Sequence, residues 1–154
     1  MTIDQFKNFI QDIVVSSCEL KDTHTEEKNA AVNYVAVFAQ NDLEYKKFIE
    51  LAKQIGKVTE TTKTGDLFVI DPIDTKSGKL QRLKVRMPDK TRPERGDADF
   101  TVADYQLFKQ SCPTKIGFSL IERDDYEMIE LIDPAFDVRT YFSNPPIDQQ
   151  LGLK

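Results

Sequence analysis

Apolar and polar positions alternate with a period that changes several times along this chain, and each change marks an element. From Thr2 to about Ser16 the period is helical, with Ile3, Phe6, Ile10 and Ile13 on one stripe. Thr2 and Gln5 have the spacing of a capping box at its start. A polar connector from about Glu19 to Asn29 follows, so residues 1–30 form an accessory helix and linker. Ala31 to Phe38, rich in valine and aromatic residues, predicts a buried strand. Asn41 and Glu44 repeat the cap signature, and Tyr45, Phe48, Ile49 and Ala52 predict a helix to about Ile55, stopped by Gly56. Lys57–Thr62 and Asp66–Ile70 predict paired strands across the turn Lys63-Thr64-Gly65. After a loop at 71–78, Leu80–Met87 alternates strictly. Leu83, Val85 and Met87 fall on one face, and Arg82, Lys84 and Arg86 on the other.

The pattern then repeats. Pro88–Gly96, with two prolines and a glycine, is a linker between modules. Asp97–Val102 predicts a strand, Ala103–Ser111 a shorter helix, and Ile116–Ile121 with Tyr126–Ile132 a strand pair around Glu122–Asp125. Val138–Phe142 is the last strand. Tyr34–Asp71 and Phe100–Asp133 both close on Ile-Asp-Pro, and each is followed by a strand containing Val-Arg. The expectation is an α+β chain with two tandem β-α-β-β-β modules, 31–88 and 97–143. The N-terminal helix precedes them, and an extended tail, 144–154, follows.

Composition narrows the classes. At 154 residues, 40% hydrophobic and 31% charged, the chain suits a soluble globular protein. No run approaches the roughly 20 apolar residues of a membrane span, and no basic segment followed by an apolar run opens the chain. Cys18 and Cys112 have neither metal nor redox spacing, which suits a reducing cytoplasm. The lone histidine, His24, sits in the polar connector and reads as a solvated loop residue. The net charge of −5 is uneven, because residues 76–95 carry eight basic and two acidic side chains. An acidic body argues against nucleic acid, whereas the basic segment is compatible with a small anion or an acidic partner.

Two consecutive β-α-β-β-β units resemble the vicinal oxygen chelate superfamily, which includes glyoxalase I, extradiol dioxygenases and bleomycin-resistance proteins. The resemblance covers about Ala31 to Ser143 and rests on element order, with Asp133-Pro134-Ala135-Phe136-Asp137-Val138 similar to the turn before the last strand there. It implies a curved mixed sheet around a cleft that holds a metal, a substrate or a sequestered small molecule. The family's metal ligands would fall on Asn33, Tyr34, Asp97, Asp99, Gln81 and Thr140, with no histidine in the repeated body. An all-oxygen Mg or Mn site would have to come from Asp97, Asp99 and Glu130. The expectation is no metal and no cofactor.

Arg82, Lys84 and Arg86 are therefore the first candidates for ligand binding, because three cations on one strand face can hold a carboxylate or phosphate. Their alternative is a solvated face. Glu130, sharing a face with Tyr126, Met128 and Ile132, is the candidate polar group of an apolar pocket. Asp97 and Asp99 are the weaker catalytic candidates, as paired carboxylates able to divide acid and base roles, or else partners for Arg92 and Arg95. Tyr34, Phe38, Phe68, Phe118, Tyr141 and Phe142 offer aromatic walls or ordinary core. The expected function is binding a small, anionic molecule between the modules. The alternatives are a lyase or isomerase using a hard divalent cation, and a protein-interaction module. The Ile3/Phe6/Ile10/Ile13 stripe needs a cover, which is either the chain's own body or a second copy in a homodimer.

Overall fold

The computed structural model describes residues 1–112 and 114–150. Helix α1 spans Ile3–His24, and Thr2 and Gln5 form the capping box, each side chain bonded to the other's backbone N–H. Strand β1 is Ala31–Phe38, and helix α2 is Asp42–Ile55, capped by Asn41. Strands β2 (Gly56–Thr62), β3 (Gly65–Thr75) and β4 (Gly78–Arg86) complete the first module. The second module contains β5 (Gly96–Thr101), α3 (Tyr105–Ser111), β6 (Phe118–Glu122), β7 (Glu127–Leu131) and β8 (Val138–Asn144). A short helix, α4 (Ile147–Gln150), follows.

All eight strands form one mixed sheet in the order β2-β3-β4-β1-β5-β8-β7-β6. The two first strands, β1 and β5, meet antiparallel at the centre, and each is flanked in parallel by the last strand of its own module. Each half is thus the same winding, which is the α+β arrangement expected from the doubled pattern. One sheet face packs against the helices. Val35, Val37, Leu83, Val85, Phe68, Ala98, Ile129 and Phe142 belong to that core. Phe6 of α1 lies against Phe48 of α2 with centroids 5.5 Å apart, and Phe108 of α3 against Phe142 at 4.6 Å. The opposite face carries a smaller cluster, Tyr34, Ala36, Phe38 and Leu67, onto which α4 lays Ile147.

Several elements differ from the sequence expectation. α1 runs eight residues past Ser16 through most of the polar connector, because Cys18, Leu20 and Lys21 continue its buried stripe. Lys21 is fully buried. Its ammonium donates to Asp22 Oδ1 at 2.6 Å and to the Glu27 carbonyl at 2.5 Å, and it faces the Phe100 ring. A polar letter is here a core position. His24 is consequently the last helical residue rather than a loop residue, with Nε2 2.9 Å from Asp133 Oδ2. Phe6, Ile10 and Ile13 are buried within the single chain, so the body covers the stripe.

The repeated Asp-Pro is not equivalent in the two halves. Asp71-Pro72 lies inside β3, where the register against β4 shifts between Val69 and Ile73, whereas Asp133-Pro134 is in the turn before β8. Met87 falls beyond β4 and is 40% exposed, so it does not join Leu83 and Val85 in the core. The tail contains α4 rather than being wholly extended; Leu151–Lys154 lie outside the described residues.

Candidate functional site

The alternation of β4 places Leu83 and Val85 under the helices and sends Arg82, Lys84 and Arg86 to the other face. Lys84 and Arg86 line a cavity of about 300 Å³. Tyr34 and Leu67 contribute from the adjacent strands, and Arg92 comes from the inter-module linker. The β6–β7 hairpin supplies Ile121, Arg123, Tyr126 and Met128, and α4 supplies Ile147 and Gln150. Asp97 and Tyr141 reach in from β5 and β8. Arg82 lines a separate cavity of about 180 Å³, to which α4 contributes Asp148.

The larger cavity is electrostatically lopsided. Four cations, Lys84, Arg86, Arg92 and Arg123, and one carboxylate, Asp97, line it. Asp97 is buried and makes no ion pair closer than 4 Å with any described residue; its Oδ1 has no hydrogen-bond partner. Burial pushes its carboxyl up to about 7, against the pull of Arg92, Arg86 and Lys84. The Nε of Arg86 is likewise buried without a partner. Its guanidinium comes within 3.6 Å of Asp89. Burial, reinforced by Arg86, lowers the Lys84 ammonium to about 8, while Nζ donates to Thr64 Oγ1 at 2.6 Å.

Arg92 stacks over the Phe38 ring at 5.7 Å and donates to the Tyr141 hydroxyl at 3.2 Å. Tyr141 in turn donates to Glu130 Oε2 at 2.6 Å. Burial and the Asp97 charge push both the Tyr34 and Tyr141 phenols upward, so both are neutral donors at ordinary pH. Glu130 therefore stands behind the cavity rather than in its wall. Arg139 approaches it at 3.4 Å and binds Glu94 through Nε at 3.0 Å.

Asp99, fully buried, takes a different part from Asp97. It accepts from Ser143 Oγ at 2.6 Å and from Asn33 Nδ2 at 2.7 Å, and burial raises its carboxyl to about 8. The expected pairing with Arg95 does not occur. Arg95 forms a two-pronged bridge to Glu44 at 2.9 and 3.1 Å. Among the described residues no group of three or more His, Cys, Asp or Glu side chains converges as a metal site. Both oxygens of Asp99 and Oε2 of Glu130 are engaged by protein donors, and Thr140 Oγ1 donates to the Ser17 carbonyl on the helix face.

Of the aromatic candidates, Tyr34 and Tyr141 line the cavity, Phe38 supports Arg92, and Phe68, Phe118 and Phe142 are core. Arg123 was hidden in a hairpin turn dominated by acidic letters. Arg92 is legible in the sequence only as a linker cation and candidate partner of Asp97 or Asp99, because nothing in its neighbours shows that the linker folds back to place it in the cavity wall.

No protein-family model matches the chain, and no curated protein matches it. A solved structure described as structural-genomics Protein EC4020 superposes with a TM-score of 0.74 at 9% identity, covering 97% of this chain and 91% of the other. That likeness defines a class of fold. Lower-scoring likenesses are to a glyoxalase I variant from Zea mays (TM-score 0.37, 14% identity, 74% of this chain and 43% of that one) and a 4-hydroxymandelate synthase variant from Streptomyces coelicolor (0.35, 12%, 76% and 50%).

Proposed function

We propose that this chain binds a small organic anion in the 300 Å³ cavity between its two modules, without a metal. The observation that carries the reading is that Lys84, Arg86, Arg92 and Arg123 line the cavity with a single carboxyl, Asp97, which has no ion pair and an Oδ1 without a partner among the described residues. Four cations against two acids, Asp97 in the wall and Asp89 at 3.6 Å from Arg86 and 3.9 Å from Arg92, leave a net positive field in a partly enclosed site, where a carboxylate or phosphate can take charge-assisted hydrogen bonds. Leu67, Ile121, Met128 and Ile147 give the ligand an apolar body to match. Arg86 and Arg92 hold the anionic head, Lys84 adds a point charge, and Asp97 in its protonated form donates. Arg82 and Glu130 act outside this contact set, Glu130 by fixing Tyr141. The resemblance to vicinal oxygen chelate proteins agrees with a ligand held between the modules.

Native mass spectrometry of gently purified chain, followed by calorimetric titration with benzoate and inorganic phosphate, tests this. The expected result is a co-purified organic anion or saturable benzoate binding, weakened about tenfold or more in Lys84→Gln or Arg92→Gln. Absence of both, with the variants indistinguishable from wild type, would overturn it.

A further inference from the structure

Lys84 puts a primary amine in the wall of the larger cavity, in surroundings unlike those of a surface lysine. It forms no ion pair with any described residue, and its Nζ donates to a hydroxyl, Thr64 Oγ1. The charged groups that act on it are Arg86 from its own strand, Asp97 from β5, Arg92 from the linker and Glu60 from β2. Burial first, and Arg86 second, hold the ammonium down to about 8, so a substantial share of the amine is neutral at ordinary pH. A site that only held an anion would be weakened by such an amine, which gives up its charge where the charge is needed. Desolvation and a neighbouring cation are the means by which proteins make a lysine nucleophilic.

The sheet sets a carboxyl across from it. Past an irregularity of β1 at Asn33, Ala36 pairs with Lys84 of β4 on one side and with Asp97 of β5 on the other. The three residues form one row across the centre of the sheet. Ala36 belongs to the cluster on the cavity face, and its methyl group is too short to separate the side chains on either side. Strands lie about 4.8 Å apart, so the outer Cα atoms of the row are about 10 Å apart, and a compound of a few carbon atoms fits between their side chains. Arg86 stands two residues along β4 on the same face, and Arg92 enters from the linker. An amine, a carboxyl and two guanidinium groups thus border one cavity.

We propose that Lys84 forms an imine with a small oxo acid, a carbonyl compound that carries its own anionic group. The inference rests on the anion reading of this cavity, because Arg86 and Arg92 hold the anionic group while the carbonyl carbon meets Nζ. The neutral amine attacks that carbon, a C–N bond forms, and the amine's proton passes to the carbonyl oxygen to give a carbinolamine. Asp97 in its protonated form then gives its proton to the hydroxyl, which leaves as water while the nitrogen lone pair closes the C=N bond. An iminium cation and the Asp97 carboxylate remain as a pair. One water is released, and nothing is oxidised or reduced.

The test is reductive trapping of the full chain with pyruvate and cyanoborohydride, which leaves a carboxyethyl group on the reacting nitrogen, located by peptide mass spectrometry. Lys84 is expected to be the principal modified lysine, ahead of exposed ones such as Lys79. Acetone, which has the carbonyl without the carboxylate, is expected to label it about tenfold or more slowly. Benzoate is expected to protect it. Lys84→Arg is expected to bind benzoate while taking up no more label than the exposed lysines account for, and Asp97→Asn is expected to slow trapping about tenfold or more. Modification of Lys84 no faster than that of Lys79 would overturn the proposal, as would equal labelling by acetone or undiminished trapping in Asp97→Asn. Saturable benzoate binding with Lys84 unmodified would sink the imine and leave the anion reading standing. Absent benzoate binding, with no preference for pyruvate over acetone, would sink both.

Discussion

Tyr141 donates its hydroxyl to Glu130 at 2.6 Å while accepting from Arg92 at 3.2 Å. This phenol thereby links a cation of the candidate cavity to the carboxylate that stands behind it. Tyr141→Phe removes both bonds at once. Glu130 keeps only the longer contact with Arg139, and Arg92 loses the anchor that points it inward. The variant is expected to lose about 1–3 kcal/mol of stability in urea unfolding and to bind benzoate several-fold more weakly.

The buried acids set the pH dependence of stability. Asp97 and Asp99 have folded values raised to about 7 and about 8, against roughly 3.9 in an unfolded chain. A raised acid binds its proton more tightly when folded, so its contribution is complete below about pH 4 and is lost as pH rises through about 7 to 8. Thermal midpoints are expected to fall between pH 5 and pH 8.5. Asp97→Asn is expected to flatten the part of that decline below about pH 7. An equally steep profile in the variant would show that Asp97 is ionised throughout.

Anion affinity follows from the same residue with a further turn. As pH falls through about 7, Asp97 loses its charge and the four cations are opposed only by Asp89, which lies 3.6 Å from Arg86 and 3.9 Å from Arg92. Benzoate affinity is expected to rise on acidification from pH 8 to pH 6, and Asp97→Asn is expected to bind more tightly than wild type at pH 8 and to lose most of that advantage at pH 6. The Lys84 ammonium, lowered to about 8, is half deprotonated at that pH, which weakens binding in both forms as pH rises through it. Calorimetry across that range measures each limb.

Helix α1 is structural. Phe6 and Ile10 have no exposure, and the helix packs on β8, β5, β1 and β3 as well as on α2. Phe6→Ala is expected to cost about 3–5 kcal/mol and Ile10→Ala about 2–5 kcal/mol. A chain beginning near Asn29 is expected to lose cooperative unfolding, because it would open the core face of the sheet to water.

Gly96 lies where Ile13 of α1 packs against β5. A methyl added there would lie 2.5 Å from the Ala36 carbonyl oxygen and 2.7 Å from Ile13 Cδ1. The Ile13 tip can rotate away, but the backbone oxygen belongs to the neighbouring central strand. Gly96→Ala is therefore expected to destabilise by about 1–3 kcal/mol, measured by urea unfolding, and Ile13→Val in the same chain should recover only part of it.

Local periodicity determined much of this protein by itself. The alternation of residues 80–86 already assigned Leu83 and Val85 to one face and Arg82, Lys84 and Arg86 to the other. The Thr2/Gln5 and Asn41/Glu44 spacings located two helix starts, and the doubled strand order foretold two like modules. These features depend on neighbours a few residues away, so a sequence carries them. Only the tertiary structure decided where the three cations go. Lys84 and Arg86 join Arg92 and Arg123, brought from a linker and a hairpin turn, whereas Arg82 joins Asn33 and Asp148 in another cavity. It also made Lys21 a core residue and separated Asp97, left unpaired, from Asp99, held by Ser143 and Asn33. Those outcomes depend on contacts between residues far apart in the chain, on a strand irregularity at Asn33, and on the solvation each charge loses. Periodicity records none of these.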